Sequence, residues 1–185
     1  MPLFSNASSY TLPKRLYGAA ELLLGSLLLI AVGKGLPLLM ATPANWWVAF
    51  AFYTFISALV IIFWPHGALG WANRVTLVRA VVVALVAGAL AANAFVGAIW
   101  QWLAIAVIAL LLDGIDGWIA RRTKSHTRFG ARFDMELDAL LILLLCAGLL
   151  RLESLGLWVL LIGAMRYLFI AASWQLPWLS KPLFA

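Results

Sequence analysis

Aspartates at helical spacing are the residues of this sequence best suited to chemistry. The chain has 185 residues and only seven acids, and five of those seven fall between positions 113 and 138. Asp113 and Asp116 are three residues apart at the end of an apolar run, and Asp134 and Asp138 are four apart at the start of the next. Each pair therefore shares one face of its helix. Antiparallel helices joined by a short connection are neighbours, so we expect the four aspartates to converge.

Such a cluster is suited to binding divalent metal ions. Four carboxylates near hydrocarbon repel one another unless cations compensate their charge. Carboxylate oxygens favour hard ions such as Mg²⁺ or Mn²⁺, and the absence of His and Cys from the pattern argues against zinc and copper. Two ions bridged by carboxylates stabilise the attacking and leaving oxygens of phosphoryl transfer. The alternative is that these acids are solvated charges balanced by nearby arginines.

The helices that carry these residues are predicted to lie in a membrane. Hydrophobic residues make up 65% of the chain and charged residues 11%, whereas soluble domains have about 25% charged residues. This composition excludes an ordinary soluble domain. A span of the bilayer core takes about 20 helical residues, and we predict six: 16–32, 46–64, 75–96, 98–120, 133–150 and 155–174. We expect an all-α, polytopic membrane helix bundle with about six transmembrane helices.

Positive charge predicts the orientation of the bundle. The net charge of +6 indicates contact with anionic lipid headgroups and not with nucleic acid. With a cytosolic N-terminus, ten cations lie inside and two, Lys34 and Arg151, lie outside, as the positive-inside rule requires. The ten are Lys14, Arg15, Arg74, Arg79, Arg121, Arg122, Lys124, Arg128, Arg132 and Lys181. The aspartates would then face the cytosol. Glu21, early in the first span, is expected to pair with Lys14 or Arg15.

The aspartates belong to a longer pattern, Asp113-x-x-Asp116-Gly117-x-x-Ala120-Arg121, eight residues, Gly130-x-x-x-Asp134-x-x-x-Asp138. This pattern resembles the signature of the CDP-alcohol phosphatidyltransferases at all eight fixed positions. The resemblance implies an integral membrane enzyme that transfers a phosphatidyl group from a CDP-alcohol to a small hydroxyl acceptor and releases CMP. CDP-diacylglycerol is the expected donor, and two Mg²⁺ or Mn²⁺ ions are the expected cofactors.

The resemblance also implies roles for single residues. Asp113, Asp116, Asp134 and Asp138 would be metal ligands, and Asp138 would also be the general base for the acceptor hydroxyl. Gly117 and Ala120 would line the nucleotide pocket, and Arg121 would either neutralise the pyrophosphate or hold the aspartates in place. Gly117 and Gly130 lack a Cβ, which lets a phosphate-bearing ligand approach the backbone closely.

Two further polar features have alternative interpretations. Asn73 and Thr76, in a stretch that also resembles the family, would either cap the third helix or contact the nucleotide. Arg166, inside the sixth predicted span, would either bind the phosphate of an acceptor or pair with an acid or snorkel to the interface. The single cysteine, Cys146, is expected to be a packing residue.

The resemblance covers residues 72–175 and divides the chain in two. Residues 1–70 would be an N-terminal extension of two helices, and residues 71–185 a family-like core. Only one span follows residue 150, which predicts either a core truncated at its C-terminus or a bundle completed by the first two spans or by another subunit, as in a homodimer.

Two other functions are compatible with the carboxylates. A divalent-cation transporter would use them as an ion pathway, but all four lie at one membrane face and only Arg166 marks the opposite half. A non-catalytic membrane protein would bind a CDP-lipid without reacting it. Release of CMP distinguishes the transferase from both.

Overall fold

The computed structural model describes residues 11–63, 71–123 and 128–175, and within these ranges it contains helices and no strands. Each of the six predicted spans overlaps one long helix, so the all-α fold is confirmed. The helices are α1 (Thr11–Lys34), α2 (Pro43–Phe63), α3 (Trp71–Ala91), α4 (Ala94–Gly97), α5 (Ile99–Thr123), α6 (Arg128–Arg151) and α7 (Val159–Gln175).

The helix surfaces are unusually apolar. Large apolar side chains are more than half exposed on several helices, among them Leu24, Trp47, Phe55, Trp100 and Leu161. Water-soluble monomers rarely expose contiguous apolar surface on this scale. Two stretches, Pro43–Val60 and Arg74–Ala91, are long and apolar enough to cross a membrane, and Ile99–Ile115 and Val159–Ala172 are shorter apolar helices. These features are consistent with a helical membrane bundle.

The chain forms two compact units, and the boundary between them falls within α6, after Leu137. Helix α3 is the centre of the first unit, where it packs against α1, α2 and α5. Its middle is fully enclosed, since every residue from Ala80 to Leu90 is buried. The start of α6 joins this unit because Leu137 and Phe133 pack against Ile56 and Ala80.

The contact between α2 and α3 depends on a buried asparagine and a glycine. Asn45 accepts hydrogen bonds from Thr42 N (3.0 Å) and Thr42 Oγ1 (2.6 Å), which closes the start of α2 in the manner of a capping box. Its Nδ2 donates to the carbonyl oxygen of Gly88 on α3 at 2.8 Å. A Cβ at Gly88 would lie 2.7 Å from Asn45 O and 2.9 Å from Ala49 Cβ. Only glycine permits this approach of the two helices.

The connection from α3 to α5 corrects one predicted boundary. The sequence predicts a third span that reaches Val96, but α3 ends at Ala91 and the one-turn helix α4 follows. Asn93 adopts the left-handed conformation (φ 55°), which reverses the chain direction between α3 and α4. Phe95 of α4 is fully buried, with its ring centroid 5.0 Å from that of Trp102 on α5. Burial of Phe95 keeps this segment folded back and ends α3 early.

The second unit, from Asp138 onward, contains most of α6 and all of α7. Gly163 on α7 lies against α6, and a Cβ there would come within 2.8 Å of Leu143 Cα and 3.3 Å of Cys146 Sγ. Cys146 is a buried free thiol, as the sequence predicts for a packing residue.

Candidate active site

A buried arginine connects two of the predicted metal ligands. Arg79 lies on α3 with its side chain fully buried, among the apolar residues that surround the middle of that helix. Its Nη1 donates to Asp113 Oδ1 on α5 at 2.8 Å and also contacts Asp134 Oδ1 on α6. Side chains from α3, α5 and the start of α6 therefore meet at one guanidinium, and the convergence of Asp113 and Asp134 is confirmed.

Both carboxylates remain accessible from outside the bundle. The Asp113 side chain is 38% exposed and that of Asp134 is 31% exposed, although both pair with a side chain that has no exposure. A carboxylate oxygen of Asp113 lies within 4.8 Å of one of Asp134. Because a carboxylate offers about four lone-pair sites, a contact to one oxygen leaves capacity for a metal ion. The pair can therefore accept a hard cation from the exposed side.

The second acidic residue of α6 lies one turn beyond the first. Asp138 follows Asp134 by four residues, and Gly130 precedes Asp134 by four. All three therefore occupy one face of α6. Asp138 is partly buried and is the first residue of the second unit. The described acids that could ligate a metal are Asp113, Asp134 and Asp138.

Several predicted site residues lie on the expected helices, but their side chains are outside the described part of the chain. They are Asn73 on α3 and Asp116, Gly117, Ala120 and Arg121 on α5. Their roles stay predictions. Asn73 and Thr76 lie inside α3, which begins at Trp71, so neither is its N-cap. Thr76 is buried, one turn before Arg79.

The predicted acceptor residue, Arg166, lies on α7 in the second unit and is partly buried. Its contact with an acceptor phosphate stays a prediction.

The contacts of Arg79 with the aspartates and of Glu21 with Arg74 were not predicted from the sequence. From the sequence, Arg79 is only one of the ten cations assigned to the cytosolic side. A cation just before a long apolar run is, however, itself a sign of a functional or paired site. Glu21 accepts hydrogen bonds from Arg74, at 2.6 Å from Nη2 and 2.8 Å from Nε. The ion pair joins α1 to the start of α3. The expected pairing of Glu21 with Lys14 or Arg15 involves side chains outside the described part of the chain and stays a prediction.

The family model for CDP-alcohol phosphatidyltransferases matches residues 69–177, more than half of the chain. The chain belongs to the CDP-alcohol phosphatidyltransferase family. No curated protein and no solved structure shows a significant match. Membership makes the protein a transferase of phospholipid biosynthesis that takes a CDP-alcohol and an alcohol acceptor. The phosphatidyltransferase match includes α3, α5, α6 and α7, and thus Arg79 and the aspartates.

Proposed function

We propose that this protein transfers the phosphatidyl group of CDP-diacylglycerol to a hydroxyl group of a small polar acceptor and releases CMP. The observation that carries the proposal is the pairing of Asp113 and Asp134 on buried Arg79, inside the region that matches the family. A site near a membrane boundary suits this reaction. The diacylglycerol tails can stay in lipid while the headgroup meets a water-soluble acceptor.

Two divalent ions, Mg²⁺ or Mn²⁺, are the proposed cofactors, with Asp113, Asp116, Asp134 and Asp138 as their ligands. The donor set fits these ions, because the accessible groups are carboxylate oxygens, which hard cations prefer. When bound, such ions neutralise pyrophosphate charge and stabilise the attacking and leaving oxygens. The partial exposure of Asp113 and Asp134 supports entry from solvent.

In the proposed reaction, Asp138 takes the proton of the acceptor hydroxyl. The acceptor oxygen then forms a bond to the phosphorus that carries diacylglycerol, and the bond from that phosphorus to the oxygen of CMP breaks. A carboxylate positioned as a general base typically contributes 10²- to 10⁴-fold to such a transfer. Asp138 is a suitable base because it is partly buried on the same helix face as Asp134.

Substrate recognition is assigned to residues around the carboxylates. We propose that Asn73, Thr76, Gly117, Ala120, Arg121 and Gly130 bind the nucleotide and pyrophosphate. Gly130 supports this assignment because it lies one turn before Asp134 on α6, and a residue without a Cβ lets a ligand approach the backbone closely. We assign Arg166 to an anionic group of the acceptor, since its guanidinium suits a phosphate.

The proposed setting is a membrane crossed by the six long helices, with the active site facing the cytosol. Within it, residues 1–70 form a two-helix extension and residues 71–185 form the core, and a homodimer is the proposed assembly. The distribution of cations in the sequence supports the orientation.

The decisive experiment supplies the full chain, in detergent or liposomes, with labelled CDP-diacylglycerol, Mg²⁺ and a panel of small alcohols. We expect release of CMP that depends on both metal and acceptor. Asp138→Asn should abolish turnover and leave nucleotide binding largely intact. Glu153→Gln is the matched control, because it neutralises an exposed carboxylate on the connection after α6.

Other results would support the competing functions. Metal flux into liposomes without nucleotide would indicate a cation transporter. Binding of CDP-diacylglycerol without CMP release, under every acceptor, would indicate a non-catalytic lipid-binding protein. Equal loss of turnover and nucleotide binding in Asp138→Asn would make that residue chiefly a metal ligand.

A further inference from the structure

Arg79 is in an environment that is costly for a charged side chain. Its guanidinium is fully buried, and Ala80, Val81 and Val83, which follow it on α3, are also fully buried. A charge taken out of water is tolerated only when opposite charges and hydrogen bonds compensate for its lost hydration. Arginine stays protonated in proteins, so neutralisation of the side chain is not available. The observed compensation includes Asp113 and Asp134.

The two carboxylates, in turn, need a positive charge between them. Their oxygens lie within 4.8 Å of each other, where two negative charges repel. Nη1 of Arg79 contacts Oδ1 of both, so it lies between them as a shared cation. The formal charge of the three side chains is −1, whereas that of the two carboxylates alone is −2. The arginine thus performs part of the compensation that a divalent ion would supply.

Its burial also makes Arg79 a fixed charge. Rotation of the guanidinium away from both carboxylates would remove two charge-assisted contacts from a fully buried cation, which is unfavourable. Asp113 and Asp134 come from different helices, α5 and α6, and are partly exposed. The arginine on α3 therefore contacts carboxylates from two other helices and helps to hold them at one place.

We propose that Arg79 is a positioning residue that acts as an internal counter-cation, keeping Asp113 and Asp134 assembled before a divalent metal ion binds. The inference rests on the proposed function only in taking these carboxylates as metal ligands. Because the fixed positive charge also opposes a second cation nearby, it weakens metal binding while it preserves the site. Without it, a divalent ion becomes the counter-cation on which the folded site depends.

The test compares Arg79→Gln, which removes the charge, with Arg79→Lys, which keeps it. Thermal unfolding of the detergent-solubilised full chain is measured in EDTA and in excess Mg²⁺, and Mn²⁺ alone is titrated by electron paramagnetic resonance. We expect Arg79→Gln to lower the unfolding temperature in EDTA and to recover most of the loss in Mg²⁺. Its Kd for Mn²⁺ should fall about tenfold, as expected when one positive charge a few Å away is removed.

Two variants serve as references. Arg79→Lys should keep the Kd for Mn²⁺ within about threefold of wild type, because the charge is retained. Arg74→Gln removes another arginine of α3, which pairs with Glu21 away from the carboxylates, and should show no metal-dependent change in unfolding temperature. If Arg79→Gln yields no folded protein even in Mg²⁺, the lysine variant decides, and a tenfold change in its Kd would overturn the inference.

The outcomes separate this inference from the proposed function. An equal loss of unfolding temperature in EDTA and in Mg²⁺ for Arg79→Gln would reduce Arg79 to a packing residue. Weaker Mn²⁺ binding by that variant would also contradict the counter-cation role. Wild-type protein that binds no Mn²⁺ would instead overturn the metal-dependent reaction itself, and this inference with it.

Discussion

The two halves of α3 stabilise the first unit by different means. Around Arg79 the helix meets α5 and α6 through charges, and the two carboxylates there stay about one third exposed. Around Gly88 it meets α2 through a buried amide, a carbonyl and small side chains, and Asn45 has no exposure. The first contact retains accessible oxygens and negative charge. The second leaves no room even for a methyl group.

This difference assigns separate roles to the two halves. Charged groups that must bind a ligand cannot also be fully satisfied inside the protein, so the assembled group adds little net stability, although removal of one partner is costly. Close helix contacts through glycine and alanine gain dispersion energy and permit backbone hydrogen bonds without charge. We infer that the Gly88 contact contributes mainly to the stability of the helix packing, whereas the contacts of Arg79 serve the candidate site.

The largest expected effect is at the charged half. Asp134→Asn keeps the shape of the side chain but removes one charge from the pair that shares Arg79. We expect CMP release to fall at least about 100-fold, as losses of groups that support a metal site do. Steady-state kinetics at saturating Mg²⁺ measure the loss. Turnover within a few-fold of wild type would show that the carboxylate is a structural partner of Arg79 alone.

A smaller effect, on stability and not on chemistry, is expected at the Gly88 contact. Gly88→Ala places a Cβ 2.7 Å from Asn45 O, and the shift that relieves this clash should cost about 1–3 kcal/mol of unfolding free energy. Gly114→Ala is the matched control, since its Cβ would meet nothing within 4 Å. Unfolding in detergent measures both. CMP release per folded Gly88→Ala molecule should stay near wild type, and its loss at full stability would contradict the division of roles.

The smallest effect is expected at the exposed ion pair near the start of α3. Arg74 is 44% exposed and Glu21 15% exposed, so solvent screens their attraction. Glu21→Gln should lower the unfolding free energy by less than about 1 kcal/mol. The difference should shrink further at high salt. If Glu21→Gln lost as much unfolding free energy as Arg79→Gln, burial would not explain why the contacts of Arg79 matter more than those of Arg74.

Six of the seven described helices were predictable from the length of the apolar runs, whereas the one-turn helix α4 was not. All six predicted spans are helices, because runs of about 20 apolar residues have few other ways to satisfy their backbone in a membrane. The end of the third span was not predictable. It depends on burial of Phe95 against Trp102 and on the left-handed conformation of Asn93. Neither feature can be predicted from the local sequence pattern.

The candidate site was likewise predictable only in part. The sequence by itself determined which aspartates share a helix face and to which family they belong, because spacing along a helix converts directly into direction. Only the tertiary structure decided that Arg79 is buried between Asp113 and Asp134 and that Glu21 pairs with Arg74. Those partners are separated by 34 to 55 residues. Whether a charge is screened by water or shared by two carboxylates depends on which helices pack around it, and that packing brings together residues far apart in the chain.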